Sequence, residues 1–548
     1  MFKIYFEFNK FIKSIIRIKI FPIIILCFMN ITLTCIGGII IPFISKYVFD
    51  NIISLNKLES LYSIIGVFIV VIFMYLLIDI IYTYLNILWI VSVDFTLKQK
   101  FYQTMCWKKI TALKKISPMD IFFRMFTDGQ IITQFLSTLY ISLPCSIIMC
   151  IIMWIIMFQW SMALSFYTII LVVLNVISIV FLQKPIIKIN TQLKLINQSV
   201  AEFVLEKLKF ISFGQINFIN NWWEKEINNQ FEIARKITIK NTYIVKIMNN
   251  LVSFLQQMWS IGYIILGVFL MLRGKLSIGA FFAFQTLVNY FLKPFTNLVT
   301  GIYSFQEVKV SYKRYKEYYF LDNVDSGTIK EVQSCNKVVL KNITFSYDAS
   351  IKNIFDDFSC EFNAGTLTVI IGENGTGKTT LMLLCARLLI PTKGNIFINN
   401  VNLKDIDLKL FYQELSAFML QESVVFQDTF FNNLVMGENY EKSHIDEVIK
   451  LCNLEKVVEK LPNKLDTILG NNGIELSGGE KQKLCLARVL MKNPKFIWLD
   501  EPTAAIDDES LKHIITALNE YKKREDAIIV INTHDANIIN NADCIIQL

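Results

Sequence analysis

The sequence predicts a membrane all-α six-helix bundle with cytoplasmic helical extensions, followed by an α/β domain. Three observations carry this reading. Apolar residues make up 54% of the 548 and charged residues only 18%, too few charges to cover a soluble surface of this size. The apolar residues fall in long runs before about residue 310 and in short runs punctuated by Gly, Asn and Asp afterwards. Charge divides near the same place: residues 337–548 carry a formal −7 and residues 1–336 carry +15, which together give the chain's +8. A chain of this length has room for two or three domains.

A helix needs about 20 apolar residues to cross a bilayer. Six stretches qualify, at 20–48, 60–91, 138–158, 162–183, 246–271 and 278–305, within a transmembrane domain over 20–310. The third and fourth are divided only by an uncharged turn in FQWSMALS. Residues 1–19 carry Lys10, Lys13, Arg17 and Lys19 and predict an interfacial elbow helix. They do not read as a cleavable signal, because the apolar stretch is too long and has no small-residue cleavage site.

Loop charges orient the bundle. Lys98, Lys100, Lys108, Lys109 and Arg124 lie between spans two and three, and Lys207, Lys209, Lys225, Arg235, Lys236 and Lys240 between spans four and five. The opposite loops are nearly neutral apart from Arg273 and Lys275. The positive-inside rule then makes both long segments and both termini cytoplasmic. That asymmetry accounts for the basic N-terminal part without nucleic acid. The inner segments read as extensions of the spanning helices, each with a short crosswise helix, near Ser117–Gly129 and Ala201–Gly214. Asp79 and Lys293 are ionisable residues inside spans, where charge is expensive. They read either as substrate contacts or as side chains that reach water by snorkelling. The eleven cysteines, without a C-x-x-C pair or a metal-like His cluster, read as buried small hydrophobes.

After a linker at 311–335, residues 336–548 form the α/β domain. Its strongest signal is GENGTGKTT, comprising Gly372, Glu373, Asn374, Gly375, Thr376, Gly377, Lys378, Thr379 and Thr380. It follows the apolar strand Thr366–Ile371 and opens a helix, the setting that a G-x-x-x-x-G-K-[ST] phosphate loop requires. Its glycines let backbone N–H groups face phosphate oxygens, Lys378 adds fixed positive charge and Thr379 offers a hydroxyl to Mg²⁺. Downstream, FIWLDEPT (Phe496–Thr503) is a buried strand ending in two carboxylates. Asp500 is placed to hold Mg²⁺ through water and Glu501 to polarise an attacking water. Between them lies LSGGEKQK, where Ser477, Gly478 and Gly479 open another helix as a second anion cradle. One site has little use for two cradles; a second makes sense if it serves the nucleotide bound by a partner copy.

This set of motifs, in this order, resembles the ATP-binding cassette (ABC) family of P-loop NTPases. The resemblance implies further roles: Tyr347 stacks on adenine, Gln421 contacts Mg²⁺, Asp507 couples two sites across a dimer and His534 contacts the γ-phosphate. A membrane domain followed by a cassette resembles the exporter-type half-transporters. So do PFISKYVFDNII (Pro42–Ile53), GKLSIG (Gly274–Gly279) and the Phe426–Asn433 segment. The resemblance implies a dimer, either of two copies or with a paralogous half-transporter. It would sit in a bacterial inner or plasma membrane and use ATP and Mg²⁺ to expel an amphipathic or peptidic molecule. A lipid flippase, a multidrug exporter and an ATP-gated channel or sensor use the same scaffold. Three departures stand out: GNNG (Gly470–Gly473) replaces an acidic–basic pair, the sequence ends at Leu548 without the usual helical tail, and no peptidase domain precedes the first span.

Overall fold

The apolar runs and the parallel strand pattern lead to two separate units. The computed structural model describes residues 2–17, 19–53, 59–113, 116–332, 334–347, 353–470, 473–503 and 506–548. The chain divides into one unit of Met1–Lys108 with Leu113–Asp322 and another of Lys109–Ala112 with Asn323–Leu548.

The first unit is helical. It consists of α1 (Phe2–Ile15), α2 (Ile20–Ile52), α3 (Glu59–Met105), α4 (Pro118–Trp160), α5 (Met162–Lys209), α6 (Asn220–Leu272) and α7 (Ile278–Tyr319). Among the described residues, α2, most of α3, α4 and α6 are long and apolar enough to cross a membrane by length and composition. α5 opens on the apolar run Met162–Ile177, and α7 carries Lys293 and Pro294 within its predicted span. The α4–α5 turn is a single residue: Ser161 is extended, at φ −161° and ψ 110°, and its hydroxyl caps α5 by accepting from the Leu164 amide.

The helices extend beyond the apolar stretches because the polar continuation keeps a helical face. Tyr312, Tyr315 and Tyr318 recur every three residues on α7 and are buried, and the Tyr315 hydroxyl donates to the Leu97 carbonyl at 3.2 Å. Residues 311–319, expected in the linker, are therefore the last turns of α7; the rise in polarity there does not end the helix. Lys108, 4% exposed, donates to the Tyr319 and Leu321 carbonyls at 2.7 and 2.6 Å and closes that C-terminus.

The first crosswise helix lies before the expected segment, and the second takes only the end of its own. Ser117 and Pro118 form an N-cap and first-turn proline, so the segment after Ser117 is the start of α4. Among the described residues, the turn before it holds the four-residue helix Ile110–Leu113. Likewise Ala201–Lys209 ends α5, and the short helix between α5 and α6 is Ile211–Ile216. In α1, the basic side chains Lys10 and Lys13 are exposed, whereas Phe8 packs edge-on against Phe135 of α4 and Tyr312 of α7, with centroids 5.9 and 5.3 Å apart. Asp50 near the end of α2 accepts from Ser277 Oγ at 2.8 Å and from the Gly279 amide at 2.9 Å, joining two segments that are remote in sequence.

The second unit holds two sheets. An antiparallel sheet runs β2 (Phe355–Asn363), β1 (Lys337–Phe345), β4 (Lys393–Ile398) and β5 (Val401–Asn402). A parallel sheet runs β6 (Ser416–Met419), β7 (Phe496–Asp500), β8 (Ile528–Asn532), β3 (Leu367–Ile371) and β9 (Cys544–Gln547). The strands β7 and β8 are buried throughout, as the apolar runs FIWL and IIVI demand of central parallel strands. The register sets Asp500 beside Asn532 and Asn532 beside Ile370. The C-terminal ends of β3, β7 and β8 therefore meet at one edge, where an α/β sheet binds ligands. Asn471 and Asn472 of the GNNG segment lie outside the described residues.

Candidate functional site

The phosphate loop leaves β3 and turns into helix α8 (Lys378–Cys385) through Gly377. Gly377 has φ +106°, and a Cβ there would lie 2.7 Å from Ile354 and 2.8 Å from Phe355; no side chain fits. The start of α8 thus faces a cleft of about 340 Å³ with its N–H groups and dipole. Of the predicted residues, the cleft is lined by Tyr347, Glu373, Asn374, Gly375, Gly377, Lys378, Thr379, Thr380, Gln421, Asp500 and Glu501.

Polar groups at the cleft are paired with one another. Lys378 Nζ donates to the Gly372 carbonyl at 2.6 Å and lies 3.0 Å from His534 Nε2. Thr379 Oγ1 donates to Asp500 Oδ2 at 2.8 Å. The other oxygen, Oδ1, accepts from Asn532 Nδ2 at 3.0 Å, and Asn532 in turn accepts from Trp498 Nε1 at 3.2 Å. Gln421 Nε2 donates to Glu501 Oε2 at 3.3 Å. Glu501 sits at φ +47° and its amide donates to the Asn532 carbonyl at 2.9 Å, so its side chain is set by a left-handed backbone that bulky residues avoid. Thr376 Oγ1 donates to the Glu373 carbonyl at 3.0 Å, within the loop. Tyr347, 56% exposed at the rim, has its hydroxyl 3.2 Å from Thr380 Oγ1 and its ring edge-on to Phe345.

Thr379, Asp500 and Gln421 offer only oxygen donors to a metal, a hydroxyl, a carboxylate and an amide, the hard set that suits Mg²⁺. Among the described residues no cluster of three His, Cys, Asp or Glu could hold a metal unaided, so phosphate oxygens and water would complete such a shell.

Ser477, Gly478, Gly479 and Asp507 do not line this cleft. Ser477 caps helix α9 (Gly478–Met491) in a reciprocal box with Glu480. Asp507 caps α10 (Asp508–Glu525), accepting from the Ser510 amide at 2.9 Å. The Ser510 amide and hydroxyl hold the Asp507 carboxyl below the usual carboxylate range.

Sequence reasoning missed Asn532, fully buried and bonded to Asp500 and Trp498. Its signal was a lone amide ending an otherwise apolar strand, IIVIN. Ile354, which also lines the cleft, carried no signal at all.

Two family models match the chain: "ABC transporter transmembrane region" over residues 23–295 and "ABC transporter" over residues 355–504. An uncharacterized ABC transporter ATP-binding protein, YwjA of Bacillus subtilis, is 30% identical over 337 residues, which are 60% of this chain and 57% of that protein. An ATP-dependent lipid A-core flippase of Pseudomonas aeruginosa is 29% identical over 288 residues, covering 52% and 47% respectively. The chain thus spans about half the length of the curated relatives it matches. A solved structure of a bacterial Atm1-family ABC exporter with ATP bound superposes with a TM-score of 0.87 at 18% identity, over 96% of this chain and 93% of that one.

Proposed function

The chain belongs to the ABC transporter family, and from that premise we propose that it is a half-transporter that hydrolyses ATP to move an amphipathic or peptidic molecule out of the cytoplasm. It works as a dimer, with its N-terminus and cassette in the cytoplasm. The observation that carries this reading is the convergence of Lys378, Thr379, Asp500 and Glu501 on one cleft of a chain that also holds apolar membrane helices.

In this mechanism the loop amides from Gly375 to Thr379 receive the β-phosphate, and Lys378 leaves His534 and the Gly372 carbonyl to neutralise the β- and γ-oxygens. Thr379, Asp500 and Gln421 hold Mg²⁺, which when bound neutralises charge on the phosphate oxygens. Glu501 takes the proton of the attacking water as general base, positioned by its bond to Gln421 and its left-handed backbone. Tyr347 stacks on the adenine from the rim. His534 contacts the γ-phosphate and reports its presence. Ser477, Gly478, Gly479 and Asp507 complete the partner's site, which fits their position off their own cleft. Closing two cassettes on shared nucleotides turns the membrane helices outward, and hydrolysis resets them.

A lipid substrate is the second reading, supported by the flippases among the relatives, with which this chain shares 29% identity in the Pseudomonas aeruginosa case. Reconstitution of the full chain in vesicles, with hydrolysis and flux measured together, tests the proposal. Glu501→Gln is expected to retain ATP binding and lose turnover by at least ~10²-fold. Undiminished turnover in that variant would remove Glu501 as the base.

A further inference from the structure

Asp79 and Lys293 stood apart in the sequence as two isolated charges in apolar helices. In the structure both line one cleft of about 130 Å³ in the membrane unit, together with Asn30, Tyr75, Tyr82 and Tyr290. Asp79 lies about 25 Å along α3 from Tyr62, and Lys293 about 22 Å along α7 from Ile278, at 1.5 Å per residue. The two charges therefore sit at a similar depth, within a hydrocarbon layer about 30 Å thick.

Charges at that depth are costly unless paired or wet. No ion pair joins Asp79 or Lys293 to any other side chain among the described residues, and both are exposed to the cleft. The other walls mix neutral hydrogen-bonding groups such as Asn30, Tyr82 and Tyr290 with apolar Leu33 and Met149. Asn30 donates to the Tyr82 hydroxyl at 2.8 Å, which fixes that wall of the cleft. The volume holds a head group of a few heavy atoms, not a whole amphiphile. A snorkelling lysine alone would need no acidic counterpart at its own level on another helix.

We propose that Asp79 and Lys293 form a head-group site for a zwitterion, with Asp79 receiving a cationic amine and Lys293 an anionic carboxylate or phosphate of the same molecule. The proposal rests on the export reading above and names the chemistry of its cargo. The apolar remainder of the molecule runs out along the surrounding helices, and the tyrosine rings give the head group a partly polar wall. Free peptide termini and a zwitterionic lipid head group share this chemistry.

The test is direct binding to the full chain, without nucleotide, in nanodiscs of phosphatidylglycerol. The probe is a radiolabelled apolar tripeptide in four forms: free, N-acetylated, C-amidated and doubly blocked. The free form is expected to bind at least ~10-fold tighter than the doubly blocked one. Asp79→Asn should erase the preference for a free amine and keep that for a free carboxylate, and Lys293→Gln should do the reverse. The exchange Asp79→Lys with Lys293→Asp should restore both preferences. If phosphatidylethanolamine in the disc displaces the peptide from the parent but not from Asp79→Asn, the head group is that of a lipid and the site stands.

Equal binding of all four forms, or loss of all four alike in each variant, overturns the site. ATP hydrolysis on the same preparations separates the two claims. Hydrolysis without discrimination among the peptides removes the site and leaves the transporter. Discrimination without hydrolysis does the opposite.

Discussion

Lys378 Nζ and His534 Nε2 lie 3.0 Å apart, so the two groups assigned to the γ-phosphate occupy one another. An ammonium has donors only, so the imidazole accepts at Nε2 and carries its proton on Nδ1. Nucleotide binding has to break this contact. His534→Ala should therefore bind ATP at least as tightly as the parent while turnover falls by ~10²-fold. Lys378→Ala should lose binding itself. Equilibrium binding of a fluorescent ATP analogue, beside phosphate release, checks both; parallel loss of binding in the two variants would break the assignment.

Ser477 and Gly479 open α9 away from the cleft of their own chain, which gives a prediction in trans. Gly479→Asp places a carboxylate where the proposal puts the partner's γ-phosphate. The variant should bind ATP normally and fail to bring two cassettes together. In mixed dimers of Gly479→Asp with Lys378→Ala both lesions fall on the same shared site, so one site is doubly defective and the other is intact. Crosslinking between cassettes with and without ATP reads this, and ATP-dependent crosslinking unchanged by Gly479→Asp argues against a shared site.

The nucleotide side of the molecule was legible because its chemistry is local. The glycines, Lys378 and Thr379 stand in one run, and the two carboxylates end one strand, so spacing alone carried them. Asn532 was not legible as a partner of Asp500, because the register of β7 on β8 brings them together from 32 positions apart. The same holds for Asp79 and Lys293, each visible alone but joined only by the packing of α3 and α7. Helix ends were least legible. The polarity change after residue 310 marks the membrane boundary, whereas the buried tyrosines keep α7 helical to Tyr319.

Asp543 ties the start of β9 to β3: its Oδ2 accepts from the Leu367 amide at 2.7 Å and from Lys522 at 2.6 Å. Burial alone would raise its pKa, but the Leu367 N–H and the Lys522 ammonium hold it below the usual carboxylate range. A carboxyl depressed in the folded state adds stability above its unfolded pKa, near ~3.9, and loses it as pH falls through the folded value. Asp543→Asn should speed hydrogen exchange at the Leu367 amide in the full chain at pH 7. The difference from the parent should shrink as pH falls below ~4. A gap that is constant with pH would mean that the charge of Asp543 contributes nothing.

Asp128 of α4 is fully buried and faces two cations, Lys194 of α5, which donates to Oδ1, and Arg314 of α7, whose Nε lies 3.5 Å from Oδ2. Arg314 also reaches Asp120 Oδ1 at 2.5 Å, and Arg124 reaches Asp120 Oδ2 at 2.7 Å. The cluster therefore binds three long helices through one buried carboxylate. Removing that carboxylate leaves Lys194, 22% exposed at its side chain, without its counter-ion and beside Arg314, which keeps Asp120. Breaking a buried pair in this way costs about 3–5 kcal/mol, whereas replacing both partners by apolar residues is often near neutral. Asp128→Ala should lower the unfolding temperature of the detergent-solubilised chain clearly more than Asp120→Ala, because Arg124 keeps its bond to the Arg314 carbonyl at 2.7 Å. The pair Asp128→Leu with Lys194→Met should recover part of the loss. Equal effects of Asp128→Ala and Asp120→Ala, with no recovery in the double variant, would show that the helices are held by their apolar contacts alone.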